Sequence, residues 1–290
     1  MKTLVAGWFS FEDMGASAGD LLVRDLACDW LKGAGRDYDV ALAAPFEGGG
    51  VDWRTADPAA YEELLFVCGP FGNGPPLTEL LERFRGVRLV GLNLTMLEPL
   101  ERWNPAALLI ERDSSRRTRP DLAFLSDAPK VPVVGLVLID AQPEYGKRDL
   151  HAAADDAIGR VLSSREAAVV RIDTRLDVNS TGLRTPGEVE SLIARMDVVV
   201  TTRLHGLVLA LKNGVPAVAV DTVAGGAKVR RQAEALGWPV VLAADDLREP
   251  DLAAALDRCL QPDLRALARA CAERAREQLA DVSRELLRRP

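Results

Sequence analysis

Histidine is almost absent from this 290-residue chain; the two present are His151 and His205. A metal centre assembled from several imidazoles is therefore not expected. Cysteine is scarce too: Cys28, Cys68, Cys259 and Cys271 lie far apart, with no C-x-x-C spacing. Three of the four fall in apolar or helical runs, which reads as reduced core residues rather than disulfides or metal ligands. Basic residues are outnumbered, 36 Lys and Arg against 43 Asp and Glu, for a formal charge of −7. Affinity for a phosphate backbone rests on dense positive charge, so nucleic acid is not an expected partner. A small anion needs only a local cluster and stays open. No apolar run approaches the roughly 20 residues that span a bilayer. The opening apolar run meets Glu12 and Asp13 too early for a signal peptide, so a soluble, cytoplasmic protein is expected.

What is present is ordinary for a globular chain, 48% hydrophobic and 27% charged. That excludes a disordered chain, a fibre and a coiled coil. The length favours two domains. Short apolar runs at 4–7, 40–44, 64–68, 87–92 and 107–111 predict strands, with helices at 20–32 and 77–84. Prolines at 129 and 132 mark a composition break, and a strong strand, 133–139, follows. Beyond it, strands at 168–173, 197–201, 215–220 and 240–243 alternate with helices at 150–162, 185–196, 204–212 and 228–236. Thr185, Pro186 and Glu188 form a capping box that opens one of these helices. Strict alternation of this kind means parallel sheets covered on both faces. The expected fold is α/β, with two Rossmann-like domains facing each other, 1–130 and 131–290. A helical C-terminal segment, 264–287, is a candidate to cross back onto the first domain.

In open parallel sheets, ligands bind beyond the carboxyl ends of the strands. The most informative strand-to-helix turn there is Thr201-Thr202-Arg203-Leu204-His205-Gly206. A helix N-terminus already favours an anion, and Arg203 and His205 add a planar fork and an imidazole to it. The next such turn carries Gly225, Gly226 and Lys228, a second anion trap on a neighbouring strand. Earlier in the chain, Gly19 and Asp20 follow the first strand without the spacing of a dinucleotide site. Asp20 reads either as a helix N-cap or as a carboxylate facing sugar hydroxyls. The glycine-rich turn around Gly72 could let a ligand approach the backbone. Arg112 ends a strand, and Arg116, Arg117 and Arg119 behind it read as a solvated face. His151 opens a helix beside an Asp-rich stretch and is expected at the surface.

The run from Asp197 to Val220, with Arg203-Leu204-His205-Gly206 at its centre and Gly214-Val215-Pro216 before the next strand, resembles the signature of the polysaccharide pyruvyltransferase family. Gly19-Asp20 is similar to that family's Asn-x-Gly-Asp turn. Arg112-Asp113 with Ser115, and Asp121 to Phe124, resemble its Arg-Asp-x-x-Ser and Asp-x-Ala-Phe elements. The helix from Thr185 and the lysine at 228 also fall in family order, while Ser17 stands where the family commonly has Asn. The resemblance implies a GT-B-like fold and transfer of a pyruvyl group from phosphoenolpyruvate to sugar hydroxyls, with release of phosphate. It implies donor binding by Arg203, Leu204 and His205, joined by Arg112 and Lys228, with Gly19, Gly72, Gly225 and Gly226 as loop contacts. His205 and Asp20 are the catalytic candidates, as general acid and as acceptor-side group. The first domain then takes the acceptor and the second the donor, with no metal or cofactor. Two other readings stay open. A GT-B glycosyltransferase would use Asp221 to hold the ribose of a nucleotide sugar. A non-catalytic relative would bind an anion or a partner and would bury His205.

Overall fold

The computed structural model describes residues 2–46, 48–139, 149–225 and 228–288. The chain divides into two compact units, Met1–Pro129 and Lys130–Pro290. The first unit contains β1 (Lys2–Gly7), α1 (Ala18–Gly33), β2 (Asp37–Val40), β3 (Glu63–Val67), β4 (Pro70–Phe71), α2 (Leu77–Arg83), β5 (Arg88–Leu92), β6 (Thr95–Met96) and β7 (Leu108–Ile110). Five of these strands form a parallel sheet in the order β2-β1-β3-β5-β7, and β4 pairs with β6 separately.

The apolar runs form strands here because both faces of the sheet are covered. Leu4, Ala6, Leu64 and Phe66 face a cluster with Phe71, Leu80 and Phe84. The alternate residues Val5, Leu65 and Val67 face Val23, Ala27 and Leu31 of α1. Burying a side chain such as Phe66 contributes about 1.5–3 kcal/mol. The second strand differs from the expected 40–44. After Val40 the chain changes partner: Ala41 N still donates to Val5 O, but Leu42 N donates to Val51 O. The apolar run therefore continues where the ladder with β1 has ended.

The second unit contains β8 (Val133–Val137), α3 (His151–Ser163), β9 (Ala168–Arg171), α4 (Pro186–Ile193), β10 (Val198–Thr201), α5 (Leu204–Lys212), β11 (Ala217–Asp221), α6 (Lys228–Leu236), β12 (Val241–Ala243), α7 (Glu249–Cys259), α8 (Pro262–Gln278) and α9 (Val282–Leu287). Its parallel sheet runs β9-β8-β10-β11-β12. Both sheets thus place the first strand between the second and third, the doubly wound order whose switch point lies between strands one and three. The central strands are β-branched and alanine-rich, and residues 217–220 are fully buried. Thr185 caps α4, its Oγ1 accepting from Glu188 N at 3.2 Å, while Glu188 accepts from Arg184 N at 2.6 Å. The C-terminal segment is two helices. Leu264, Ala268 and Cys271 of α8 are buried in the second unit's own core, against α5 and α6. All four cysteines are free and buried, and burial pushes the Cys68 and Cys259 thiols up to about 12. Among the described residues, no helix is long and apolar enough to cross a membrane.

Candidate functional site

The turn after β10 is built by two threonines. Thr201 Oγ1 donates to Val137 O at 2.9 Å and accepts from Arg203 N at 3.0 Å. Thr202 Oγ1 accepts from Ile139 N at 2.9 Å. Both hydroxyls thereby tie the exit of β10 to the exit of β8, at the switch point of the sheet. Gly206 is needed because α5 starts so close to these strands. A Cβ there would lie 2.1 Å from Thr201 Oγ1 and 2.9 Å from a methyl of Val137. The Arg-Leu-His-Gly order thus has a steric cause at its fourth position.

Arg203 is the N-cap residue of α5, and its side chain turns back across the switch point. Nε donates to Leu138 O at 2.8 Å and Nη1 to Thr174 Oγ1 at 3.3 Å. Asp173 Oδ1 is 3.7 Å from Nη1, with both side chains nearly buried. Nη2 has no partner among the described residues. The guanidinium lines a pocket of about 190 Å³ with Arg171, Asp173, Arg175, Ser180 and Thr181, beyond the ends of β8 and β9. Burial pushes the Asp173 carboxyl up, but the N–H groups of Arg175 and Ser180 and the charge of Arg203 outweigh it, so it stays ionised below the usual range. Arg171 is exposed, and its side chain makes no ion pair or hydrogen bond among the described residues. Sequence reasoning missed this wall of the pocket. Its only signal was a polar stretch, 173–181, directly after a strand.

Leu204 packs its side chain against the core, so its contribution at the helix start is its backbone N–H. His205 is exposed and unpartnered among the described residues, and it is not among the residues lining the Arg203 pocket. Lys228 is exposed at the first position of α6. Gly225 has φ +79 and donates its N–H to Asp245 at 3.2 Å. Gly226 lies outside the described residues. Asp221 is buried, with one oxygen accepting from Val223 N at 3.2 Å and the other from Arg230 N at 2.9 Å. A carboxylate placed so acts as a capping group for the turn after β11 and the start of α6.

The remaining candidates lie in the first unit. Arg112 lies two residues beyond β7 with its guanidinium engaged: Nε to Asp113 at 2.9 Å, Nη1 to Asp121 at 2.7 Å, and Nη2 to Thr95. Those two carboxylates hold its proton more tightly than usual. Asp20 is not the N-cap. Ser17 is, and Asp20, three positions into α1, accepts from Ser17 N at 2.7 Å and Ser17 Oγ at 2.6 Å. A Cβ on Gly19 would meet Ser17 Oγ at an ordinary 3.5 Å. Gly72 lines a pocket of about 280 Å³ with Trp8, Asn73 and Glu98, and a Cβ there would come within 2.8 Å of Leu97. The arginines behind Arg112 are not a solvated face alone. Arg116 and Arg117 lie 2.8 and 3.3 Å from Glu111, whose side chain is completely buried. His151 likewise is not at the surface; it is 2% exposed and hydrogen-bonded at both ring nitrogens. Helical position predicts a face only where the neighbouring elements are known, and β11 with its following turn covers this one. Among the described residues, no group of three or more His, Cys, Asp or Glu is placed to hold a metal ion.

No curated protein matches the chain. Among solved structures, calicheamicin glycosyltransferase CalG4 covers 94% of this chain and 93% of its own, at 14% identity and TM-score 0.35. Spinosyn forosaminyltransferase SpnP covers 98% of each chain at 14% identity and TM-score 0.36. The UDP-GlcNAc 2-epimerase of Methanocaldococcus jannaschii covers 90% of this chain and 93% of its own, at 10% identity and TM-score 0.32. Scores of this size carry no argument about fold or function. A family model matches residues 109–222, a stretch that includes Arg112, Asp121, Thr185 and the whole Arg203–Gly206 turn, and leaves Asp20 and Lys228 outside. Over that stretch the chain is similar to the polysaccharide pyruvyl transferase family.

Proposed function

We propose that the protein transfers a pyruvyl group from phosphoenolpyruvate to hydroxyls of a sugar or sugar-bearing acceptor and releases phosphate. The observation that carries this reading is Arg203, held by Leu138 and Thr174 with Nη2 left for a ligand, inside the stretch that matches the family model. Phosphoenolpyruvate presents a carboxylate and a phosphate on one small frame. Arg203 with Arg171 suits one anion, and the N-terminus of α5 with His205 suits the other. Lys228 adds positive charge on the neighbouring turn. Arg112 acts as a donor ligand only by exchanging a carboxylate partner.

A proton is delivered to the methylene carbon, which leaves C2 electrophilic. An acceptor hydroxyl oxygen then bonds to C2, and a second displaces phosphate as the C2–O bond breaks. The two hydroxyl protons balance the one gained by carbon and the one carried by phosphate. His205 is the proton donor in this scheme, because its imidazole is exposed at the start of α5 and can carry a proton to a bound substrate. Asp20, already an acceptor for Ser17, serves the acceptor side of the first unit. The reaction as written needs no cofactor. Capping by Asp221 speaks against the nucleotide-sugar alternative, and the exposure of His205 speaks against a merely structural turn.

The test is calorimetric titration of phosphoenolpyruvate into the protein and into Arg203→Ala, without metal or nucleotide. Binding in the micromolar-to-millimolar range that is lost in the variant is expected. Binding of a uridine or thymidine sugar nucleotide with no response to phosphoenolpyruvate would overturn the reading.

A further inference from the structure

One buried polar chain has no part in the reaction as written. His151, the first residue of α3, has Nδ1 2.5 Å from Asp149 Oδ1 and Nε2 2.7 Å from Thr222 Oγ1. A carboxylate only accepts, so the ring proton sits on Nδ1, and in the neutral ring Nε2 accepts from the Thr222 hydroxyl. Carboxylate, imidazole and hydroxyl in this order are the parts of a nucleophilic triad. Thr222 and His151, however, are each only 2% exposed, so the hydroxyl does not meet a substrate. What the chain can do is hold backbone. Leu150 N donates to Thr222 O at 2.9 Å, and Asp149 and Val223 form an antiparallel bridge. Asp149 Oδ1 also accepts from His151 N at 3.0 Å, which fixes the carboxylate that orients the ring.

Thr222 is the first residue after β11, which pairs with β10 through Val199, Val200 and Thr201. The turn it opens reaches Gly225, one strand along from the Arg203–His205 turn. We propose that Asp149, His151 and Thr222 are a positioning clamp that sets the turn after β11 beside the anionic donor. The donor part rests on the phosphoenolpyruvate reading; the clamp on the turn does not. The imidazole is the linker because its two nitrogens point in different directions and so connect two chain segments through one rigid ring.

Replacing the ring by amides separates its two bonds. His151→Gln places its amide near Nε2 and can keep the Thr222 bond; His151→Asn places it near Nδ1 and can keep only the Asp149 bond. Phosphoenolpyruvate affinity is expected to survive in His151→Gln and in Thr222→Ser. It should fall about tenfold or more in His151→Asn and Thr222→Val, the size of one lost buried hydrogen bond. Deuterium uptake at residues 222–225 should rise in the same two variants, while the thermal midpoints of Gln and Asn stay close together. Equal affinity and equal uptake in the Gln and Asn variants would show that His151 only fills space, and the clamp is lost. If the wild-type protein does not bind phosphoenolpyruvate, the donor reading fails by itself. Uptake at 222–225 then decides the clamp: faster exchange in Thr222→Val, restored in Thr222→Ser, retains it, and unchanged exchange removes it.

Discussion

Glu111 shows how a single residue can alter the meaning of its neighbours. Three arginines close together in sequence read as solvated charge until a completely buried carboxylate is placed among them, with Arg116 2.8 Å away. Burial pushes the Glu111 carboxyl up, but the hydrogen bond and charge of Arg116 and the charge of Arg117 outweigh it and hold it below its ordinary 4.5. Asp121 is held below 3.8 in the same region, burial being outweighed by the Ala123 N–H and Arg112. Groups with depressed folded values bind fewer protons folded than unfolded, so stability rises with pH across that window. Their contribution is complete above the unfolded values and lost as pH falls through the lower folded ones. Glu111→Gln should therefore lower the thermal midpoint near pH 7, by an amount that shrinks as the pH is lowered through 4.5 and below. Melting curves taken across that range check it, and parallel wild-type and variant curves would contradict it. The capping pair Ser17–Asp20 carries a related lesson: a side chain with two close backbone and hydroxyl contacts is structural first.

Elements meet closely where the Arg-Leu-His-Gly turn joins β10 to α5. Gly206→Ala forces a methyl against Thr201 Oγ1 at 2.1 Å, and the strand behind it is fully buried, so neither side yields easily. Overpacking of this kind costs about 1–3 kcal/mol. By contrast, Gly159 in the middle of α3 has nothing within 4 Å of an added Cβ. Gly159→Ala should stabilise by up to about 1 kcal/mol through helix propensity. Opposite shifts of the two thermal midpoints are the expected result. A Gly206→Ala protein as stable as the wild type would mean that α5 does not approach β10 as described. Arg203, at the start of α5, turns its side chain towards the ends of β8 and β9, where Nε donates to Leu138 O.

At the scale of the whole molecule, two hydrophobic systems divide at the boundary between the units. One cluster gathers Val134, Ile158, Val198, Val218, Leu252 and Leu264, all from the second unit. The first unit's clusters, around Phe66 and around Val5, draw only on residues before 129. Residues 130–290 expressed alone should therefore unfold cooperatively, with single-step loss of near- and far-ultraviolet circular dichroism. A gradual, non-cooperative melt would show that the second core depends on the first unit. Phosphoenolpyruvate binding by the same fragment would place the donor side within it.

Much of this architecture was legible in the sequence. Strands such as 64–68 and the valines at 198–200 are apolar without alternation, because a sheet covered on both faces makes each of these positions a core position, and that composition survives any tertiary detail. The Thr185 cap was legible because it depends on residues within one turn of chain; the Arg203 turn was legible as a residue pattern, while the contacts that build it reach back to β8. The tertiary structure alone decided which polar groups are already satisfied. Arg112, Asp20 and Asp221 are engaged by nearby partners, His151 is enclosed by a turn 71 residues away, and Asp173 joins Arg203 from the segment that follows β9. A carboxylate or a guanidinium looks the same in sequence whether its hydrogen bonds are made within the protein or left for a ligand. The difference lies in distance and direction between segments far apart in the chain, which only folding sets.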